Sequence, residues 1–247
     1  MEVAVIIPTK NEEKSLPPLL ESLKKQDFRG FRIIVADAGS SDKTREIAKK
    51  SKCMVIRGGL PAIARDNGAK KAISSGAKIL IFIDSDVILP KKDFIKKSIG
   101  EFRKRKLDVA GVEVAAYSDN PKDKEFKESR DPRFAIFYAI FNLILKSSQK
   151  GKNPFMQNYM MARSEVHKKV GGFGNLEFGE DSAYCKKAAR MGFKFRVLET
   201  PGKILISPRR FKEKGFFRLV ILYLYFNARI ILGHEFVINK KNVYFEK

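Results

Sequence analysis

The first 84 residues alternate between two patterns, and that alternation limits the chain to few folds. Short runs rich in Val and Ile fall at 3–7, 32–36, 54–57 and 79–83, with helical spacing between them at 16–25, 43–50 and 62–74. Brief apolar runs without polar alternation are what strands buried on both faces require. Ser15 ahead of Pro17 and Pro18 marks a helix start, Asp42 is placed to cap the second helix, and Gly76 closes the third. Strand–helix repeats with short connections predict βαβ units with right-handed crossovers, hence an α/β fold on a mostly parallel central sheet flanked by helices. With 247 residues, 44% of them hydrophobic, the chain can supply the core of one such domain with appendages.

Such half-sheets bind nucleotides outside the carboxyl ends of their strands. Two common devices for holding phosphate are missing. The first strand runs into Pro8-Thr9-Lys10-Asn11-Glu12 rather than a G-x-G-x-x-G turn, and no G-x-x-x-x-G-K-[ST] loop occurs. The fourth run instead ends in Asp84-Ser85-Asp86. Ionised carboxylates at the end of a buried strand are costly unless paired, solvated or bound to a cation. Oxygen ligands shared with substrate phosphates are the usual setting for Mg²⁺ or Mn²⁺. The triplet alone reads equally well as a helix cap and solvated turn before Pro90.

The chain carries 50 Lys and Arg against 28 Asp and Glu, a formal charge of +22. Such a field attracts anions, whether nucleic acid, anionic lipid or nucleotide-like substrates, although many lysines simply solvate the surface. Cys53 and Cys185 form no Cys-x-x-Cys, and with two His no zinc spacing exists; both read as core thiols. The N-terminus enters a strand directly, so no signal peptide is expected, and no apolar run reaches transmembrane length.

Beyond residue 90 the pattern loosens. A basic helix is expected over 91–105, a strand over 108–117, and a charged mobile loop over 118–131. A Gly-rich stretch, 171–179, runs into Glu180-Asp181, which open an amphipathic helix closing at Gly192. One carboxylate there is accounted for by the helix macrodipole, and Asp181 also suits a general base. Ser207-Pro208-Arg209-Arg210 follows a short strand at 203–206. Its arginines suit either a diphosphate clamp or plain surface charge. The segments 133–146 and 216–232 are apolar around most of their circumference, with narrow polar stripes at Tyr138, Asn142 and Lys146 and at Arg218, Tyr225 and Arg229. Helices of this kind lie deep in a core or in a membrane interface.

In order along the chain come Pro8-Thr9-Lys10-Asn11-Glu12, Ala36-Asp37-Ala38-Gly39-Ser40-Ser41-Asp42, Ala64-Arg65-Asp66-Asn67-Gly68, Phe82-Ile83-Asp84-Ser85-Asp86, and Gly171-Gly172-Phe173 before Glu180-Asp181. This succession, over roughly residues 1–211, resembles family 2 glycosyltransferases with the GT-A fold. The resemblance implies inverting transfer of a sugar from a UDP- or GDP-linked donor. It implies Pro8, Thr9, Glu12 and Asp37 at the nucleotide's base and ribose, Arg65 near the donor, and Asp84 and Asp86 at a Mg²⁺ or Mn²⁺ ion. Asp86 would be the direct ligand, with Asp84 nearer the ribose or a metal-bound water. Asp181 with Glu180 would form the catalytic acidic pair, Asp181 as base. Arg209 and Arg210 stand where processive members carry Gln-x-x-Arg-Trp; that motif is absent, which argues for a non-processive enzyme. Ala38 replaces a frequent second Asp, and Asp66 separates Arg65 from Asn67.

The expected organisation is a transferase domain over 1–211, with 1–117 taking the nucleotide and 118–211 the acceptor. A C-terminal apolar amphipathic helix and tail follow over 212–247. The two apolar helices suggest a peripheral seat on an anionic membrane surface, cytoplasmic in location, with a glycan or polyprenyl lipid as acceptor. The loop at 118–131 is the expected acceptor-side lid. The alternatives are a nucleotidyltransferase or a basic nucleic-acid-binding α/β protein. Against the first, the turn after strand one lacks a Gly-rich basic loop. Against the second, aromatic residues sit in apolar runs rather than among basic ones.

Overall fold

The computed structural model describes residues 2–118, 126–176 and 179–231. The expected βαβ units are present: β1 (Val3–Thr9), α1 (Leu16–Lys24), β2 (Phe31–Asp37), α2 (Thr44–Lys50), β3 (Met54–Arg57), α3 (Pro61–Ser74) and β4 (Ile79–Ile83). Strands β3, β2, β1 and β4 pair in parallel, with Val3 opposite both Phe31 and Ile79. All five residues of β4 are buried, as its unbroken apolar run requires. Asp42 accepts the backbone N–H of Thr44 at 3.0 Å and so holds the start of α2.

The sheet continues beyond β4. After α4 (Phe94–Lys104) come β6 (Val109–Val112), β8 (Tyr159–Arg163), α6 (Ser164–Val170), α7 (Glu180–Arg190) and β9 (Phe195–Leu198). Of these, α4, β6 and α7 were expected, and β8, α6 and β9 were not. The order is β3-β2-β1-β4-β8-β6-β9, with β8 antiparallel to both neighbours and β6 parallel to β9. The single strand expected over 108–117 is two. It breaks at Glu113, and β7 (Val114–Ala116) joins a second, three-stranded sheet with β5 (Val87–Ile88) and β10 (Ile204–Ile206). The loop expected over 118–131 starts and ends on β7, where Tyr117 bridges Glu128 and Ser129 donates to the Ala116 carbonyl. Residues 119–125, most of the expected lid, lie outside the described residues.

Helix α5 (Pro132–Ser148) turns its polar stripe inward. Tyr138 and Asn142 are buried, and Asn142 exchanges two hydrogen bonds with the backbone of Val114 on β7. Lys146 pairs with Glu113 at 2.9 Å. Its apolar residues Ile136, Ile140 and Leu143 therefore face outward. Helix α8 (Arg209–Lys214) leads through Gly215 into α9 (Phe216–Ile231). Among the described residues no helix is long and apolar enough to cross a membrane. Cys53 and Cys185 are free and buried, as expected of core thiols.

Candidate active site

The carboxyl ends of β1, β2 and β4 bring the candidate residues together. The β1–β2 register sets Thr9 beside Asp37, and the Thr9 hydroxyl donates to Asp37 Oδ2 at 3.2 Å. Asp37 is buried and also accepts the backbone N–H groups of Gly39 and Ser40 at 3.1 and 3.0 Å. It thus shapes the turn after β2 while sitting at the strand end. Pro8 precedes Thr9 in β1, and Glu12 lies on the connection to α1.

Asp84 and Asp86 have separate environments. Because Ile83 pairs with Tyr159 on β8, the Asn158 amide reaches Asp84 Oδ2 at 3.0 Å. The other Asp84 oxygen accepts from Arg65 at 2.5 Å. Asp86 immediately precedes β5, and the pairing of Val87 with Ile206 brings Ser207 and Arg210 to it from the far end of the sequence. Its Oδ2 stands 4.0 Å from the Arg210 guanidinium, while its buried Oδ1 has no hydrogen-bond partner. Burial raises the Asp86 carboxyl above the ordinary carboxylate range. Arg209, on the next turn, contacts Ser15 at 3.1 Å and Glu12 at 3.5 Å.

The third cluster centres on Arg65. Helix α3 lies close on β1: a Cβ on Gly68 would fall 2.3 Å from Ile6 Cγ2. Its buried face carries Ala62, Arg65, Ala69 and Ala72. A guanidinium on the core face of a helix needs counter-charges, and three surround it. Arg65 reaches Asp84 and Glu180 at 2.5 Å each and Asp181 at 3.5 Å, and it lies over the Phe173 ring. Glu180 and Asp181 form the first turn of α7 after Gly179, whose φ of 73° lies in the left-handed region. Burial, with Glu180 and Asp84 nearby, outweighs Arg65 and pushes the Asp181 carboxyl up to about 8. The loop before α7 is held by Asp66, which accepts the Phe173 N–H at 3.0 Å and lies 3.5 Å from His167 Nε2. Burial keeps His167 neutral, its pKa lowered to about 4.

The structure thus gathers Thr9, Glu12, Asp37, Arg65, Asp84, Asp86, Glu180, Asp181, Arg209 and Arg210 at one end of the sheet. Sequence reasoning missed Asn158, Asp66 and His167. A buried His beside an Asp has no periodic signature, and Asn158 is marked only by its left-handed φ of 62°. It also supplied no partners for Arg65, because these come from three separate elements.

Comparison with known proteins settles the family. The sequence profile of glycosyl transferase family 2 matches residues 4–171. The chain belongs to this family. It is 27% identical over 209 residues to the O-antigen chain rhamnosyltransferase RfbN of Salmonella typhimurium, covering 78% of this chain and 63% of that protein. It is 36% identical over 114 residues to a 4,4'-diaponeurosporenoate glycosyltransferase of Staphylococcus haemolyticus, 42% of this chain and 29% of that one. The chain therefore spans less than two thirds of either relative. The fold is shared with the mannosyltransferase PcManGT of Pyrobaculum calidifontis, solved with GDP-Man and Mn²⁺. The TM-score is 0.63 at 16% identity, covering 83% of this chain and 56% of that one. The chain thus has the family and the GT-A architecture expected from its motifs.

Proposed function

We propose that this glycosyltransferase moves a sugar from a UDP- or GDP-linked donor to an acceptor, with inversion at the anomeric carbon and with Asp181 as the base. The observation that carries the reading is two different carboxylate environments at one end of the sheet, one after β4 and one in the first turn of α7. Asp86 is buried with an oxygen lacking any hydrogen-bond partner, and Asp181 is buried against a guanidinium. An unpartnered buried carboxylate oxygen fits a hard cation. Among the described residues, no three His, Cys, Asp or Glu side chains could hold a metal by themselves. An ion held by Asp86 and Asp84 would take its remaining ligands from the donor's phosphates and water. Asp86 would be the direct ligand. Asp84, already committed to Arg65 and Asn158, would lie nearer the ribose. Bound there, Mg²⁺ or Mn²⁺ supplies positive charge against the leaving diphosphate.

Residues 1–117 would take the donor, with Pro8, Thr9, Glu12 and Asp37 at the base and ribose and Arg209 and Arg210 at the diphosphate. Residues 118–211 would take the acceptor, and 212–247 would add the apolar helix and tail. The acceptor oxygen attacks the anomeric carbon from the face opposite the diphosphate. The new C–O bond forms as the old one breaks, and its electron pair leaves on the diphosphate. The hydroxyl proton passes to Asp181. A base titrating near the working pH is the most effective one, and burial has moved Asp181 in that direction. Arg65 orients Asp181 and Glu180 and is itself fixed by Asp84.

The acceptor would be a glycan or a polyprenyl-linked lipid met at the cytoplasmic membrane surface. The outward apolar faces of α5 and α9 support that reading, as does the apolar acid named in the Staphylococcus relative. The test is the stereochemistry of transfer. Proton NMR of the product formed from α-linked UDP- and GDP-sugars on polyprenyl phosphate or glycan acceptors should show the β-anomer. An α-linked product would refute single displacement.

A further inference from the structure

Helices α5 and α9 together present an apolar face that the fold leaves uncovered. On α5, Ile136, Ile140 and Leu143 recur at i, i+4 and i+7; on α9, Phe217, Ile221 and Tyr225 recur at i, i+4 and i+8. Each set makes a single stripe along its helix. Leu143 is 69% exposed, Ile221 68% and Phe217 73%. The stripes flank one groove of about 260 Å³, whose walls include Ile136, Ile140 and Ile144 on one side and Phe217 and Val220 on the other, with Arg133 at one end.

Three observations say what covers this face. First, α5 is held with Tyr138 and Asn142 inward, together with Phe134, Phe137, Phe141 and Leu145, so the exposure of Ile136, Ile140 and Leu143 follows from that packing and is not a fraying end. Second, neither helix carries an acidic residue, and Arg133 and Arg218 are exposed, while Lys146 turns inward to Glu113. Arg133 is largely exposed, lies over the Phe216 ring and is already paired with Asp131. An apolar stripe edged by cations complements an anionic lipid headgroup layer above hydrocarbon. Third, the face is mechanically continuous with the site. Arg210 stands 4.0 Å from Asp86, and the next residue, Phe211, packs its ring 5.3 Å from Phe137 and 5.5 Å from Phe216.

We propose that the α5–α9 face is a monotopic docking surface for an anionic bilayer. Both stripes would enter the lipid, with the carboxylate site tethered to them through Arg210 and Phe211. This specifies the membrane seat in the proposed function and rests on that part of it, but its test reads binding rather than turnover. The base-less variant Asp181→Asn serves as a second background, so failure of the transfer mechanism and failure of the interface are told apart.

The chain contains no Trp, so Phe217→Trp is a unique reporter. With vesicles of 70% phosphatidylcholine and 30% phosphatidylglycerol at 0.15 M salt, the protein and its Asp181→Asn variant should co-float. The Trp emission should shift to the blue and be quenched by brominated lipid. Trp placed at Lys49 on α2, by the opposite edge of the sheet, should do neither. Leu143→Asp and Ile221→Asp, at exposed positions that leave the melting temperature unchanged, should each weaken partitioning by about tenfold or more. The proposal is overturned if the protein stays with the unbound fraction. It is equally overturned if both Asp variants co-float as well as the parent, or if a solution dimer is broken by the same substitutions.

Discussion

Replacing Arg65 by Met keeps much of the side-chain volume and removes the one cation that, among the described residues, pairs with Asp84, Glu180 and Asp181 together. The guanidinium is 4% exposed and reaches those carboxylates at 2.5, 2.5 and 3.5 Å. At an effective dielectric of 20, each close pair is worth about 4 kcal/mol in gross Coulomb energy, offset by desolvation. Breaking a buried pair by removing one partner costs roughly 3–5 kcal/mol, because the other charge stays behind. In a chain of this length that lowers Tm by roughly 6–20 °C at pH 8. The loss depends on pH in a definite direction. Asp181 is already raised to about 8 with Arg65 in place, so its protonated form is the one the fold prefers. A carboxyl with a raised folded pKa contributes stability in full below about pH 4 and loses it as pH climbs toward the folded value. Without Arg65 the folded pKa of Asp181 rises further, but below pH 8 both proteins already lose stability at one proton per pH unit, so the gap between Arg65→Met and the parent should widen by less than about 1 kcal/mol from pH 5 to pH 8. Thermal unfolding followed by circular dichroism at both pH values measures it. Arg65→Lys, with charge but no planar fork, should fall between. A Tm within 3 °C of the parent at both pH values would refute the clamp.

Asn142→Ala should cost about 3 kcal/mol in chemical denaturation, because the N–H and C=O of Val114 are left buried without partners. Asp181→Asn should lower kcat by roughly 10²–10⁴-fold while donor affinity stays within twofold in titration calorimetry. In the parent, kcat/KM should rise with pH on a limb near 8, since the base acts only when ionised, and that limb should vanish in Asp181→Asn. His167 is neutral in the fold with a pKa near 4, so its share of stability should fade as pH drops from about 6.5 toward 4. In His167→Gln the acid limb of the Tm profile over that range should flatten.

The nucleotide-binding half was legible in the sequence because its signals are local. Four strands read as apolar runs, although β3, at the sheet edge, has no buried residue, and Asp42, Gly76 and the two prolines of α1 mark helix ends within a few residues. The second half was not, because its strands are defined by partners. β5 has two residues, β8 reads Tyr-Met-Met-Ala-Arg, and the break at Glu113 shows only when β7 is seen in another sheet. The same distinction holds in the site. Asp84, Asp86, Glu180 and Asp181 stand out as acids next to apolar or glycine-rich stretches. The Arg65 clamp does not, because it joins a helix, a strand end and a second helix 115 residues apart. Periodicity exposed the polar stripe of α5 but not its direction, which depends on the backbone of β7 offering Asn142 a partner.

The central claim is that Asp86 anchors a divalent ion on which donor binding depends. Titration calorimetry of UDP- and GDP-sugars, with and without Mn²⁺, on the parent protein and on Asp86→Ala tests it directly. One of the nucleotide-sugars should bind the parent only in the presence of Mn²⁺, and Asp86→Ala should abolish that dependence together with the tight binding. Equal donor affinity with and without Mn²⁺ in the parent, or undiminished Mn²⁺-dependent binding in Asp86→Ala, would contradict the account.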